Sequence, residues 1–114
     1  MTNQIKISFN SKVFTADLEN NSTSKGLLDL LKNGPISLNF SDYASQEVSA
    51  KLPKNLPNTD KYLTAKPGDI CVYTSNTLVF FYSDVSWSLS KVGKINGITK
   101  NEIKNMIGKV TLSL

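Results

Sequence analysis

The sequence predicts a mainly β domain, a closed eight-stranded antiparallel barrel capped by two short helices. Three observations carry that expectation. Short runs of alternating apolar and polar residues recur along most of the chain, the period-2 signature of strands that bury one face. Only two stretches carry helix punctuation, and both are brief. The 114 residues, 39% of them apolar, suffice for one core, so residues 1–114 form a single domain. Many short strands in one small domain do best by closing on themselves, which removes exposed edges.

The elements follow in order. Ile5-Lys6-Ile7-Ser8-Phe9 alternates, and Val13 to Leu18 follows after the turn-prone spacer Asn10-Ser11-Lys12, which makes a hairpin. Asn20 to Ser24 is rich in N-cap residues, and Leu27, Leu28, Leu30 and Leu31 then share one side of a short helix that stops at Gly34-Pro35, because glycine supplies a left-handed cap and proline cannot continue the ladder. Ile36 to Phe40 alternates again as a third strand. From Ser41 to Lys66 the chain is polar, interrupted by a possible short strand over Glu47 to Leu52. Connections of this length are uncommon in compact domains unless they bind or catalyse, so this stretch is expected to carry function.

After the Pro67-Gly68 turn, Asp69 to Tyr73 and Thr77 to Tyr82 are two strands apolar enough to be central. Ser83 to Ser88 reads as a polar loop, and Leu89 to Ile95 as the next strand. Thr99 with Glu102 forms a capping box, predicting a helix over residues 100–107 that buries Ile103, Met106 and Ile107. Gly108 ends that helix, and the alternating Val110, Leu112 and Leu114 close the chain as an eighth strand.

Composition excludes much chemistry. The chain has thirteen lysines, no arginine and no histidine, so it lacks the rigid bidentate fork for carboxylates and phosphates and the side chain that titrates near neutrality. With no histidine, one cysteine and scattered carboxylates, no metal site and no cofactor are expected. The glycines stand apart at turns and helix ends, so no phosphate loop is expected either. Cys71, in the apolar run Ile70 to Tyr73, is expected to be a buried, unreactive thiol. The net charge of +4 invites a nucleic-acid reading, but the lysines are spread along the whole chain, which argues against that partner. No apolar run approaches the ~20 residues of a membrane span. Met1 to Gln4 leads directly into the first strand and leaves no room for a secretory signal. A cytoplasmic location is expected unless an export segment has been removed.

The best polar cluster is Asp42, Tyr43 and Glu47. These residues are expected to line a cleft at the barrel rim with Leu52 and Pro53 as its apolar floor. A structural role competes: Asp42 capping a turn, Tyr43 packing on the barrel and Glu47 satisfying loop amides. Phe81 and Val79 are expected on one face of their strand, Phe80 and Tyr82 on the other. One set fills the barrel, and the other packs beneath a covering element or lines a groove. Trp87, the lone tryptophan, is either a partly exposed ligand anchor or a lid over the barrel end.

The element order, with Phe40-Ser41-Asp42-Tyr43 through Glu47 to Leu52-Pro53 and Leu56-Pro57, resembles the bacterial cyclophilin-like domain family. Pro67-Gly68-Asp69-Ile70, Tyr73, Leu78, Phe81-Tyr82 and then Val92-Gly93-Lys94-Ile95-Asn96-Gly97 extend the likeness from Ile5 to Leu112. The resemblance implies an eight-stranded cyclophilin-type barrel capped by two helices. Prolyl isomerases of the cyclophilin class use an arginine beside the twisted amide, with aromatic and histidine neighbours, and this chain has neither basic residue. The expected function is therefore a non-catalytic binding module for an extended peptide or small ligand at Asp42, Tyr43, Glu47, Leu52, Pro53, Phe81, Tyr82 and Trp87. A weak or divergent peptidyl-prolyl isomerase and a single-stranded nucleic-acid binding barrel are the alternatives. A monomer or weak dimer is expected.

Overall fold

A computed structural model describes residues 3–114; Met1 and Thr2, on which part of the reading of the chain start falls, lie outside the described residues. The strands are β1 (Gln4–Phe9), β2 (Lys12–Leu18), β3 (Ile36–Tyr43), β4 (Glu47–Lys51), β5 (Lys61–Ala65), β6 (Asp69–Tyr73), β7 (Thr77–Phe81), β8 (Val85–Ile95) and β9 (Gly108–Ser113). Helix α1 (Ser22–Leu31) follows β2, and α2 (Lys100–Lys104) precedes β9. Eight strands pair antiparallel in the order β2-β1-β9-β3-β4-β7-β6-β8, and β8 returns to β2 to close the barrel. The closed eight-stranded barrel is as the sequence predicts. The ninth strand, β5, lies outside it and pairs only with the first half of β8, Val85 to Leu89.

Local chemistry explains the joints. Asn10 and Ser11 take φ of +54° and +67° between the paired residues Phe9 and Lys12, the doubly left-handed geometry that matches strand twist in a two-residue hairpin. Asn21 caps α1 by accepting the Ser24 amide, and Gly34, at φ +126°, donates its amide to the Leu31 carbonyl as the helix ends. The Thr99–Glu102 capping box is formed on both sides. Glycine is required where the barrel closes: a Cβ at Gly93 would stand 2.2 Å from the Asp17 carbonyl oxygen and 3.0 Å from Leu18 Cα, so no side chain fits between β8 and β2 there.

The barrel interior is filled. Phe40 and Phe80 stack with ring centroids 4.7 Å apart, among Ile5, Ile7, Val48, Leu78 and Leu112. Leu27 and Leu31 of α1, and Ile103 and Met106 from α2 and the turn after it, join the same core. These side chains occupy the barrel interior at the close packing usual of protein cores.

Three expectations about the elements are corrected. The stretch from Ser41 to Lys66 is not one open loop. β3 runs on to Tyr43 and β5 occupies Lys61 to Ala65. Residues 52–59 are tied down: the Leu52 and Leu56 amides donate to the Asn76 and Ser75 carbonyls, each at 2.7 Å, and the Thr23 hydroxyl donates to the Pro57 carbonyl at 2.6 Å. This satisfies the backbone of a segment that has no ladder of its own. Ser83 to Ser88 is not wholly a loop, since β8 begins at Val85. Helix α2 stops at Lys104, because the next residues turn to put Met106 in the core and bring Gly108 opposite Phe40.

Candidate functional site

Strand alternation gives β4, β7 and β6 two unlike faces. Val48, Ala50, Ile70, Val72, Leu78 and Phe80 point into the barrel core. Their neighbours Cys71, Val79 and Phe81 point the other way and pack with Ala65 and Leu89 in a second, smaller core, flanked by Leu63 and Val85. The ribbon of β5 and the first half of β8 therefore covers part of the barrel's outer face. A cleft of about 460 Å³ remains beside it, a size usual for small-ligand sites.

Each wall of the cleft has a clear origin. From the barrel come Glu47 and Ser49 of β4, Thr77 and Phe81 of β7, and Tyr73 of β6. The ribbon contributes Val85, Trp87 and Leu89, which share one face because they alternate with serines. Tyr43 and the turn residues Ala44 and Gln46 complete the lining. Ala44 and Ser45 take φ of +55° and +54°, turning the chain sharply so that Tyr43 and Glu47 stand opposite each other. Glu47 in turn faces Phe81 across the β4–β7 ladder. Tyr43, Glu47 and Phe81 thus form one row across three strands. Tyr43, Tyr73 and Trp87 are 63%, 41% and 54% exposed, so three aromatic side chains reach solvent around an apolar floor.

The charge in the cleft belongs to one residue. Glu47 is the only lining side chain that is formally charged, and among the described residues its carboxylate takes part in no hydrogen bond or ion pair. Burial, and then the charge of Asp42, raise its pKa above the usual carboxylate range. Cys71, behind Phe81, is buried, and its pKa is pushed up to about 12 by desolvation and then by the nearby Asp69 charge, which keeps the thiol protonated and unreactive. No cluster of three or more acidic or cysteine side chains among the described residues is arranged to hold a metal ion.

Four of the eight residues singled out from sequence, Tyr43, Glu47, Phe81 and Trp87, meet in the cleft. Asp42 and Tyr82 meet each other instead. The Tyr82 hydroxyl donates to Asp42, and this bond, reinforced by desolvation, pushes the phenol pKa up to about 12. Because Asp42 precedes Tyr43 and Tyr82 follows Phe81, strand parity turns this pair to the opposite side of the sheet, where Tyr82 joins the barrel core. Leu52 is buried in that core and Pro53 is exposed, so neither floors the cleft. Trp87 lies on the ribbon beside the barrel wall, not over a barrel end. Sequence reasoning missed Tyr73, Thr77, Val85 and Leu89. The signals were present: Tyr73 pairs with Thr77 across a short turn, and Val85-Ser86-Trp87-Ser88-Leu89 alternates as a strand does.

A family model for the cyclophilin-like family matches residues 7–114. The chain belongs to the cyclophilin-like family. No curated protein matches it. The family match runs from β1 to the end of the chain and takes in both the barrel and the β5–β8 ribbon, so the cleft lies wholly within the cyclophilin-like region. No helix among the described residues is long and apolar enough to cross a membrane.

Proposed function

We propose that this cyclophilin-like domain is a non-catalytic binding module that takes an extended peptide or small ligand in the cleft between the outer barrel face and the β5–β8 ribbon. One observation carries the reading: three exposed aromatic side chains, Tyr43, Tyr73 and Trp87, surround an apolar floor with a single carboxylate. Exposed aromatics grouped at a concave site are what recognition surfaces use, because they bury large area with little loss of side-chain freedom. Catalysis has less support. The chain has no arginine and no histidine, the Cys71 thiol is masked, and a lysine is a flexible point donor unsuited to holding a twisted amide.

The test is NMR exchange spectroscopy on a mixed set of X-Pro peptides with and without the protein, following the protein amides in the same samples. Uncatalysed exchange takes tens to hundreds of seconds, so catalysis is easily seen. The expected result is shifts at Glu47, Thr77, Phe81 and Trp87 with unchanged cis/trans exchange. Accelerated exchange would replace this reading with prolyl isomerisation.

A further inference from the structure

The binding reading leaves one feature unexplained. Glu47 places a carboxylate against Phe81 in a half-buried row, where loss of hydration disfavours the charged form, and no described residue offsets it. The chain has thirteen lysines, yet none lines the cleft. Lys51 is the nearest along the strand on the same face, four residues from Glu47 and about 13 Å away at strand spacing. Lys51 is exposed to water and forms no ion pair with Glu47. Asp42, on the neighbouring strand, adds a second negative charge that acts on Glu47. The cleft of this basic protein therefore carries the single negative charge of Glu47, and the groups around the carboxylate are aromatic: Tyr43 and Phe81 on either side in the row, with Trp87 on the ribbon. Aromatic faces and a carboxylate attract the same partner, a weakly hydrated cation.

We propose that the cleft binds a small organic cation, its ammonium or quaternary ammonium group held by the Glu47 carboxylate and the exposed aromatic side chains of Tyr43 and Trp87. The inference rests on the binding reading and names the ligand class for that site. Charge complementarity selects this occupant over an anion, which Glu47 repels. It also selects it over a wholly apolar molecule, which offers the carboxylate neither a charge nor a hydrogen bond. The cation supplies the missing counter-charge, and the ring faces supply a surface that a bulky ammonium group contacts without a matching set of hydrogen bonds. The cleft's volume of about 460 Å³ leaves space for an apolar tail along Val85 and Leu89.

Choline and its neutral isostere 3,3-dimethylbutan-1-ol present nearly the same shape with and without the charge. Each is titrated into the full chain while the fluorescence of Trp87, the single tryptophan, is followed. Choline should give a saturable change, with the alcohol weaker by about tenfold or more. Glu47→Gln keeps the shape of the side chain and should weaken choline about tenfold while leaving the alcohol unchanged, with far-UV circular dichroism confirming that the variant is folded. Equal binding of the alcohol, or choline binding indifferent to Glu47→Gln, overturns the cation assignment and leaves the cleft a binding site for another ligand class. No saturable change with either probe also overturns it; the binding function itself then fails only if the peptide set moves none of the cleft amides.

Discussion

The two faces of β4, β7 and β6 are built from the same three strands and differ in almost every property. Toward the barrel axis, Phe80, Val48 and Ile70 are wholly enclosed and Phe80 stacks on Phe40. Toward the outside, Val79, Phe81 and Cys71 are just as well covered where the ribbon meets them, but the adjoining Glu47, Thr77 and Tyr73 open onto a cleft. A barrel this small fills its own interior with side chains, and its stability depends on that filling. The outer face has a second core of only a few residues and a gap beside it. The closed core and the cleft thereby stand on opposite sides of one sheet, separated by a single backbone thickness.

The sharpest way to break that comparison is to truncate one aromatic on each side. Phe80→Ala removes a fully buried ring and should cost about 3–5 kcal/mol, a large share of the ~5–15 kcal/mol that holds a domain together. Trp87→Ala, on the exposed ribbon, should cost about 1 kcal/mol or less. Urea denaturation followed by circular dichroism compares the two directly, since the second variant lacks the fluorophore. Similar losses would mean that the ribbon is as much a part of the cooperative core as the barrel interior.

A smaller effect separates the second core from the solvent-facing cleft. In the folded state the Cys71 pKa stands at about 12, above its ordinary value of 9.0, so the folded protein keeps a proton that the unfolded chain releases. The stabilisation linked to this group is fully present below pH 9 and is lost as pH rises from 9 toward 12. Tyr82, whose pKa is likewise raised to about 12, contributes in the same direction. Cys71→Val removes only the thiol's share, so the stability difference between variant and parent should move in favour of the variant across that interval, measured by denaturant melts at successive pH values. A difference that stays constant would show that the thiol titrates normally and that the ribbon does not seal it from water.

Most of the barrel was legible in the sequence because its signals are local. The Asn10-Ser11 turn, the Asn-rich cap before α1, the Thr99–Glu102 box, the alternating run from Ile5 to Phe9 and the continuous apolar run from Leu78 to Tyr82 each act through neighbours in the chain. The partition of Phe80 with Tyr82 against Phe81 with Val79 also followed from parity alone. β5 was hidden because Lys61-Tyr62-Leu63-Thr64-Ala65 is half polar and becomes a strand only by pairing with β8. The beginning of β8 was hidden because its serines resemble loop residues, though they mark only the solvent side of a covering ribbon. The candidate site was half legible for the same reason. Asp42 and Tyr43 are adjacent in sequence, and because β3 runs on to Tyr43 the strand sends them to opposite faces, so only Tyr43 stands with Glu47. Leu52 lies past the end of β4, where the chain turns into the core, which sequence spacing cannot indicate.

The most direct measurement of the account's central claim is an amide chemical-shift map of the protein titrated with a mixed set of small cationic, neutral and peptide ligands. The account predicts that shifts gather on the outer row and the ribbon, at Glu47, Thr77, Phe81, Trp87 and Leu89, while Phe80, Tyr82 and Asp42 stay in place. Shifts centred on Asp42 and Tyr82, with the outer row silent, would place recognition on the opposite side of the sheet and contradict it.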